Sequence, residues 1–216
     1  MPARRRRALA AAVILSALAV SGCSALFPPD PGAAAQTPDA AATPALDSQF
    51  TDEGSVTLAS DVAPDLEVRI DAWAVDPKRT QEWTESAPKT IGLAVNVYDY
   101  RVPEKSVLEQ KRRVYLSSIS ISSTLSPGGA PGPFQLTADP RELVPADTQR
   151  ADEGLLINSY QGGLLIPETV IGAVPDGTTG LTLDITLTLA VEGVAGDGAY
   201  LPQSVVQRLP IAIFAG

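Results

Sequence analysis

Residues 181–191 read LTLDITLTLAV and carry the most regular pattern in the chain. The apolar residues of this stretch all fall at odd positions: Leu181, Leu183, Ile185, Leu187, Leu189 and Val191. Because side chains alternate between the two faces of a β-strand, this period of two predicts a strand with one buried face and one solvated, Thr-rich face. We expect the strand to be central in its sheet, with Ile185 in the core, because a long apolar edge strand promotes aggregation.

The same alternation recurs on both sides of this stretch. Residues 66–74 place Leu66, Val68, Ile70, Ala72 and Ala74 on one face. Further candidate strands are 56–60, 93–98, 114–122, 134–137, 155–160, 164–171 and 209–213. The apolar parity changes within 114–122, which predicts a β-bulge near Ser117–Ser118. Gly162-Gly163, between two apolar runs, predicts a hairpin.

This pattern favours an all-β fold. About seven to nine short strands separated by Gly and Pro turns are typical of an antiparallel β-sandwich that is immunoglobulin-like in the broad sense, here over residues 53–216. No window has a helical period of useful length, and 103–113 is the best candidate, for one or two turns. The single cysteine excludes an internal disulfide, so the sandwich must be stabilised by apolar packing.

The composition of the 216-residue chain excludes several classes of function. There is no histidine, and therefore no His-based triad, haem-His site or His₂ zinc site. The chain has 25 Asp+Glu against 16 Lys+Arg, a formal net charge of −9. Nucleic-acid binding needs a basic surface, so no nucleic-acid partner is predicted.

The N-terminus has the parts of an export leader. Four arginines, Arg4 to Arg7, precede the apolar stretch 8–20, ALAAAVILSALAV, which is too short to span a bilayer core of about 20 residues. The residues Val20-Ser21-Gly22-Cys23 that follow resemble the lipobox of bacterial lipoproteins. The resemblance implies that residues 1–22 are a cleaved signal peptide and that the thiol of Cys23 carries a diacylglyceryl group.

The lipobox also implies a location and a means of attachment. The protein is expected at the outer face of the cytoplasmic membrane, where two acyl chains anchor stably. Without the leader, 12 Lys+Arg remain against 25 Asp+Glu, so anionic head groups would repel the protein part. Residues 23–52, which the lipobox resemblance implies are lipidated at Cys23, are rich in Ala and Pro, and this composition predicts a disordered tether that serves as a spacer. This composition is similar to that of lipoproteins from high-GC actinobacteria.

Few residues suggest catalysis or metal binding. Ser86-Ala87-Pro88-Lys89 matches the S-x-x-K motif of penicillin-binding enzymes, but the companion motifs are missing and Pro88 lies inside it. We interpret this stretch as a loop leading into a strand. Carboxylates gather over 139–153, where they indicate either a calcium loop or, as we favour, a solvated acidic loop. We predict no catalytic residues, no metal and no cofactor.

The aromatic residues Trp73, Tyr98 and Tyr100 lie on the polar faces of their strands. If these strands are neighbours, the three rings form an outward binding surface, since exposed Trp and Tyr are typical of such surfaces. Alternatively, the loop 76–89 or the tether covers them. The leading hypothesis is a binding or interaction module whose partner is another envelope protein, a wall polymer or a small ligand. The alternatives are a cell-envelope hydrolase using carboxylates or a Ser-Lys pair, and a structural or assembly subunit of an envelope complex.

Overall fold

The structure, a computed structural model, describes residues 46–158 and 163–216. The predicted signal peptide, Cys23 and most of the predicted tether lie outside these residues. One short helix, α1 (Gln49–Glu53), precedes the strands. In chain order the strands are β1 (Ser55–Ala63), β2 (Leu66–Ala74), β3 (Lys89–Asp99), β4 (Val114–Ser126), β5 (Pro131–Ala138), β6 (Arg150–Ala151), β7 (Gly154–Leu156), β8 (Leu164–Ile171), β9 (Gly180–Glu192) and β10 (Tyr200–Ala212).

The strands form two packed antiparallel sheets, which confirms the predicted all-β sandwich. The first sheet has the order β1-β2-β3-β8. The second has the order β10-β9-β4-β7-β6, and β5 pairs with the C-terminal half of β4. The predicted bulge in β4 is present, because its register against β9 shifts between Leu116 and Ser118.

The strand that carries the 181–191 pattern is central, as predicted. β9 pairs with β10 on one side and with β4 on the other. All six of its odd-numbered apolar residues are buried in the core, and Ile185 has no exposed surface. The opposite face presents hydroxyl groups, with Thr186 paired to Ser120 and Thr188 paired to Ser118. This face is solvated, as the alternation indicates.

The folded part begins before the predicted boundary at residue 53. α1 has Ser48 as its N-cap and ends at Gly54, whose φ of 75° is the left-handed conformation that glycine adopts readily. Phe50 on α1 is only 1 % exposed. Ser48 Oγ donates to Pro210 O at 2.8 Å, and Ala212 N donates to Thr51 Oγ1 at 2.9 Å. The end of the predicted tether therefore covers the edge of β10.

Two local predictions concern a hairpin and a helical turn. Gly162 of the predicted hairpin turn lies outside the described residues, but β7 pairs with β4 and β6 whereas β8 pairs with β3 in the other sheet, so these two strands do not form a hairpin with each other. Residues 103–113, the best helical candidate, contain one helical turn, a 3₁₀ turn at Leu108–Gln110. Within the described residues, no helix has the length and apolarity needed to cross a membrane.

The sandwich has two ends that differ in what they carry. Leu46, the first described residue, packs over Gly180 at the start of β9, and we call this the entry end. β3 finishes at Asp99, whose carboxylate pairs with Arg112 just before β4. Because β4 and β9 are antiparallel, the start of β4 lies at the finish of β9, and we call this the far end. The 13 residues of β9 separate the two ends by about 40 Å.

Candidate functional site

A cleft of ≈ 440 Å³ lies at the far end of the sandwich, beneath the segment 100–113 that connects β3 to β4. Its walls come from the last residues of β3, from this connecting segment and from the residues that follow β7. The lining residues are Asn96, Val97, Tyr98, Asp99, Tyr100, Val102, Glu104, Lys105, Lys111, Ile157 and Asn158. Clefts of this size are typical of small-ligand sites.

Asp99 fixes the floor of the cleft. Its side chain is fully buried, and the guanidinium groups of Arg101 and Arg112 both bind it, at 2.7 and 3.0 Å. Burial alone raises the pKa of Asp99, but hydrogen bonds from Arg101 and Arg112 outweigh burial and hold that pKa well below its usual range. The Arg112 backbone N–H also donates to Asp99 Oδ2 at 3.0 Å, so the carboxylate is fully used in positioning the connecting segment.

Asn158, in the chain that follows β7, performs a similar task. Its side chain is buried, its Nδ2 donates to Arg112 O, and its Oδ1 accepts a hydrogen bond from Val114 N at 3.2 Å. Ile157 N donates to Val114 O at 3.0 Å. These bonds tie the chain after β7 to the start of β4. The cleft walls are therefore held by buried hydrogen bonds on both sides.

Two tyrosines form the rim of the cleft. The rings of Tyr98 and Tyr100 are nearly parallel, with centroids 6.4 Å apart and an interplanar angle of 15°. The guanidinium carbon of Arg69 lies 4.5 Å from the centroid of the Tyr98 ring, within the range of a cation–π contact. Tyr100 is 54 % exposed. The arrangement leaves aromatic surface open to solvent beside the cleft.

A network of hydrogen bonds holds this aromatic pair. Arg69 Nη2 donates to the Tyr100 hydroxyl at 2.6 Å, and that hydroxyl donates to Glu67 Oε1 at 3.0 Å. Arg69 Nε also donates to Glu67. Hydrogen bonds from Arg69 and Tyr100 lower the pKa of Glu67, whereas desolvation and the bond to Glu67 raise the pKa of Tyr100. Glu67 stays ionised and Tyr100 stays protonated near neutral pH, so the network persists there.

Trp73 shares the outer face of the sheet but not the cleft. β2 and β3 are neighbours, and Trp73 pairs with Gly92 while Glu67 pairs with Tyr98. The indole ring covers Gly92, where any Cβ would collide with it. Trp73 lies six positions along β2 from Glu67, a distance of about 20 Å. The structure thus brings Tyr98 and Tyr100 together and places Trp73 elsewhere.

The S-x-x-K residues do not form a nucleophile and base. Lys89 opens β3 with a fully buried side chain, and its ammonium group donates to Glu85 O at 3.3 Å. Ser86 is exposed in the preceding loop. Within the described residues, no hydrogen bond joins Ser86 to Lys89, and a Ser-Lys pair requires one.

Of the acidic residues over 139–153, Asp139 has an arginine partner in the structure. Asp139 pairs with Arg141 at 2.6 Å and caps a short 3₁₀ turn. Over residues 46–158 and 163–216, no three carboxylate or thiol side chains converge to hold a metal ion. Glu192 is buried and accepts hydrogen bonds from the backbone N–H groups of Arg113, Gly196 and Gly198. Its carboxylate therefore organises the loop between β9 and β10.

No protein-family model, curated protein or solved structure matches the chain. Sequence reasoning found the two tyrosines but missed Asp99, Arg112 and Asn158. The one available indication was the run Lys111-Arg112-Arg113, which is unusual in so acidic a chain. Asp99, which binds Arg112, lies 13 residues away and Glu192, which binds the Arg113 backbone, lies 79 residues away, beyond the reach of local patterns.

Proposed function

We propose that the chain is an extracytoplasmic lipoprotein, anchored through Cys23 at the outer face of the cytoplasmic membrane, whose β-sandwich binds an envelope component in the far-end cleft. The observation that carries the proposal is the cleft with its fixed tyrosine pair, at the end opposite the one where the chain enters the domain. The leader residues up to Cys23 support the anchor independently.

The position of the cleft suits a protein held by its N-terminus. Leu46 joins the preceding segment to the entry end, whereas Asp99 and the cleft lie at the far end, about 40 Å away. An anchor upstream of Leu46 is therefore joined to the domain at the end opposite the cleft. Attachment at that end leaves the cleft free of the chain that leads back to the anchor, which supports a binding role.

The chemistry of the cleft favours binding over hydrolysis. Glycoside hydrolysis needs two carboxyl groups that face each other across the substrate. Of the two carboxylates that line the cleft, Asp99 is neutralised by Arg101 and Arg112, and Glu104 is exposed on the connecting segment. The amide of Asn158 is likewise occupied by backbone groups. The groups that remain available to a ligand are the aromatic rim, Asn96 and the lysines.

The anchor is tested with a Cys23→Ala variant of the full chain. Without the thiol no thioether to diacylglycerol can form, so this variant should lose incorporation of labelled palmitate and remain unprocessed or leave the membrane fraction. Ser21→Ala, which keeps a small residue in the lipobox, is the matched control and should behave as the native chain does. Palmitate labelling of the Cys23→Ala chain would contradict the proposed anchor.

Binding at the cleft is tested by photo-crosslinking in intact cells. A photoreactive phenylalanine analogue at Val102, which lines the cleft, should give a defined adduct with an envelope component. The same analogue at Val206, exposed on β10, is the control and should not give that adduct. Adding Tyr98→Ala should weaken the Val102 adduct. If positions 102 and 206 give the same products, or 102 gives none, the cleft is not the binding site.

A further inference from the structure

The positive charges of the chain are concentrated around the cleft. The segment 100–113 holds five Lys+Arg and two Asp+Glu, although beyond Cys23 the chain has only 12 Lys+Arg against 25 Asp+Glu. Arg69 lies beside the same rim. Half of these 12 cations therefore lie at one end of a strongly acidic protein. Glu67 and Asp99 pair with three of these cations, Arg69, Arg101 and Arg112, so the attraction for an anionic ligand comes from the cations that stay unpaired.

Two of these cations are available to a ligand. Arg101 and Arg112 are used by Asp99, whereas Lys105 and Lys111 line the cleft. Lys111 Nζ donates one hydrogen bond, to Glu104 O at 2.6 Å, which leaves two of its N–H groups. Within the described residues Lys105 makes no hydrogen bond or ion pair, and its side chain is exposed. Both ammonium groups can therefore bind a carboxylate or a phosphate.

The rim beside these lysines suits a sugar ring. The faces of aromatic rings carry negative partial charge, and the C–H groups on one face of a pyranose carry positive partial charge, so the two stack favourably. Tyr100 is already fixed by its hydrogen bonds with Arg69 and Glu67, and the Arg69 guanidinium lies against the Tyr98 ring, so little conformational entropy is lost when a ligand binds. Asn96, which also lines the cleft, offers an amide donor and acceptor for hydroxyl groups.

We infer that the cleft binds an acidic saccharide, with a sugar ring on the Tyr98–Tyr100 pair and its carboxylate or phosphate bound by Lys105 and Lys111. The inference rests on the proposed function and names the ligand class for the same site. A fatty acyl chain fits less well, since amide, ammonium and carboxylate groups share the walls with only three aliphatic side chains.

The experiment compares a charged ligand with its uncharged ester. The mature chain from residue 23, carrying Cys23→Ser so that it stays free of lipid, is titrated calorimetrically with tetragalacturonate and with its methyl ester. The acid should bind at least about tenfold more tightly than the ester, because one or two ion pairs contribute that much binding free energy. Added salt should reduce this difference in affinity.

Variants separate the two parts of the site. Lys105→Gln with Lys111→Gln should weaken binding of the acid to the level of the ester and leave the ester unchanged, and Lys78→Gln, at an exposed lysine away from the cleft, should change neither. Tyr100→Ala should weaken both ligands. Equal affinity for acid and ester overturns the inference, as does binding of neither. If the Val102 crosslink still forms in that case, the cleft binds another ligand and the proposed function stands.

Discussion

Lys89 is the residue whose surroundings fit its chemistry least. Its side chain is fully buried and its ammonium group has one hydrogen-bond acceptor, Glu85 O. Burial lowers the pKa of Lys89, and the charge of Glu85 opposes this only in part. The unfolded chain therefore binds a proton more readily than the folded chain does. Stability should rise with pH from the depressed folded pKa up to the unfolded value of about 10.4.

We expect Lys89→Met to be as stable as the native chain at neutral pH or more stable, by up to about 4 kcal/mol, because an apolar side chain of similar size removes the cost of burying a charge. The rise of stability with pH should also disappear in this variant. Urea melts between neutral and alkaline pH measure both effects, with Lys78→Met at an exposed site as the control. A variant that is less stable, or that keeps the native pH dependence, would contradict this account.

Asp99 has the opposite pH behaviour. Its folded pKa is depressed, so its contribution is fully present above the unfolded pKa of about 3.9 and is lost as the pH falls below that value. Asp99→Asn leaves two guanidinium groups short of a partner and should cost about 3–5 kcal/mol. Asp139→Asn removes the more exposed pair with Arg141 and should cost under about 1 kcal/mol. Similar losses in the two variants, measured by urea melts at pH 7, would show that the buried pair has no special role.

Residue positions on a single strand are predictable, whereas positions across strands are not. The period of two correctly gives Tyr98 and Tyr100 one face, because alternation is a local property of the strand. The distance from Trp73 to these rings depends on the pairing of β2 with β3, which local sequence does not specify. Once the structure is known, Gly92 explains this register, because its missing side chain leaves the space that the Trp73 indole fills.

At the scale of elements, β9 makes the sharpest prediction about packing. Ile185 is completely buried between the sheets, and Thr186 lies on the outer face opposite Ser120 and Val206. Ile185→Ala should cost about 2–5 kcal/mol, because it leaves a cavity in the core. Thr186→Ala should cost under about 1 kcal/mol. Urea melts of the lipid-free mature chain compare the two, and equal costs would contradict the assigned faces of β9.

Elements with a long period-two pattern were predictable, and short or irregular ones were not. β9 and β2 have one apolar parity from end to end, so their extents follow from the sequence. β10 begins at Tyr200, well before the predicted strand 209–213. The prediction missed its first half because the residues there are mostly exposed and do not alternate. The five residues of α1 are too few for a helical period. Its place in the fold depends on Phe50 packing against Trp83, with ring centroids 6.0 Å apart.

At the scale of the whole molecule, the sandwich separates two tasks along its length. The entry end holds the chain leading back to Cys23, and its edge is covered by α1. The far end gathers the connecting segment 100–113 around Asp99 and carries the cleft. Asp99 ends β3 of one sheet and Arg112 directly precedes β4 of the other, so the cleft exists only when both sheets have assembled. The candidate site is therefore a property of the tertiary fold, which explains why local sequence patterns located only its tyrosines.

The boundary between tether and domain gives the last prediction. Composition predicts that residues 24–45 are disordered, since they are mostly Ala and Pro and bury too little apolar area to offset about 1–2 kcal/mol of entropy per ordered residue. Trypsin cannot test this, because no Lys or Arg occurs between Cys23 and Arg69. Limited digestion of the lipid-free mature chain with proteinase K, followed by intact-mass measurement, should leave a core that begins near residue 46. Phe50 in the core and the bonds of Ser48 and Thr51 to β10 should protect α1 from cleavage.

Phe50→Ala should loosen α1 and move the first resistant residue to about Gly54, while Gln49→Ala, at an exposed position of the same helix, should leave the boundary unchanged. A native core that starts after Gly54 would contradict the packing of α1, and a core that retains residue 24 would contradict the tether.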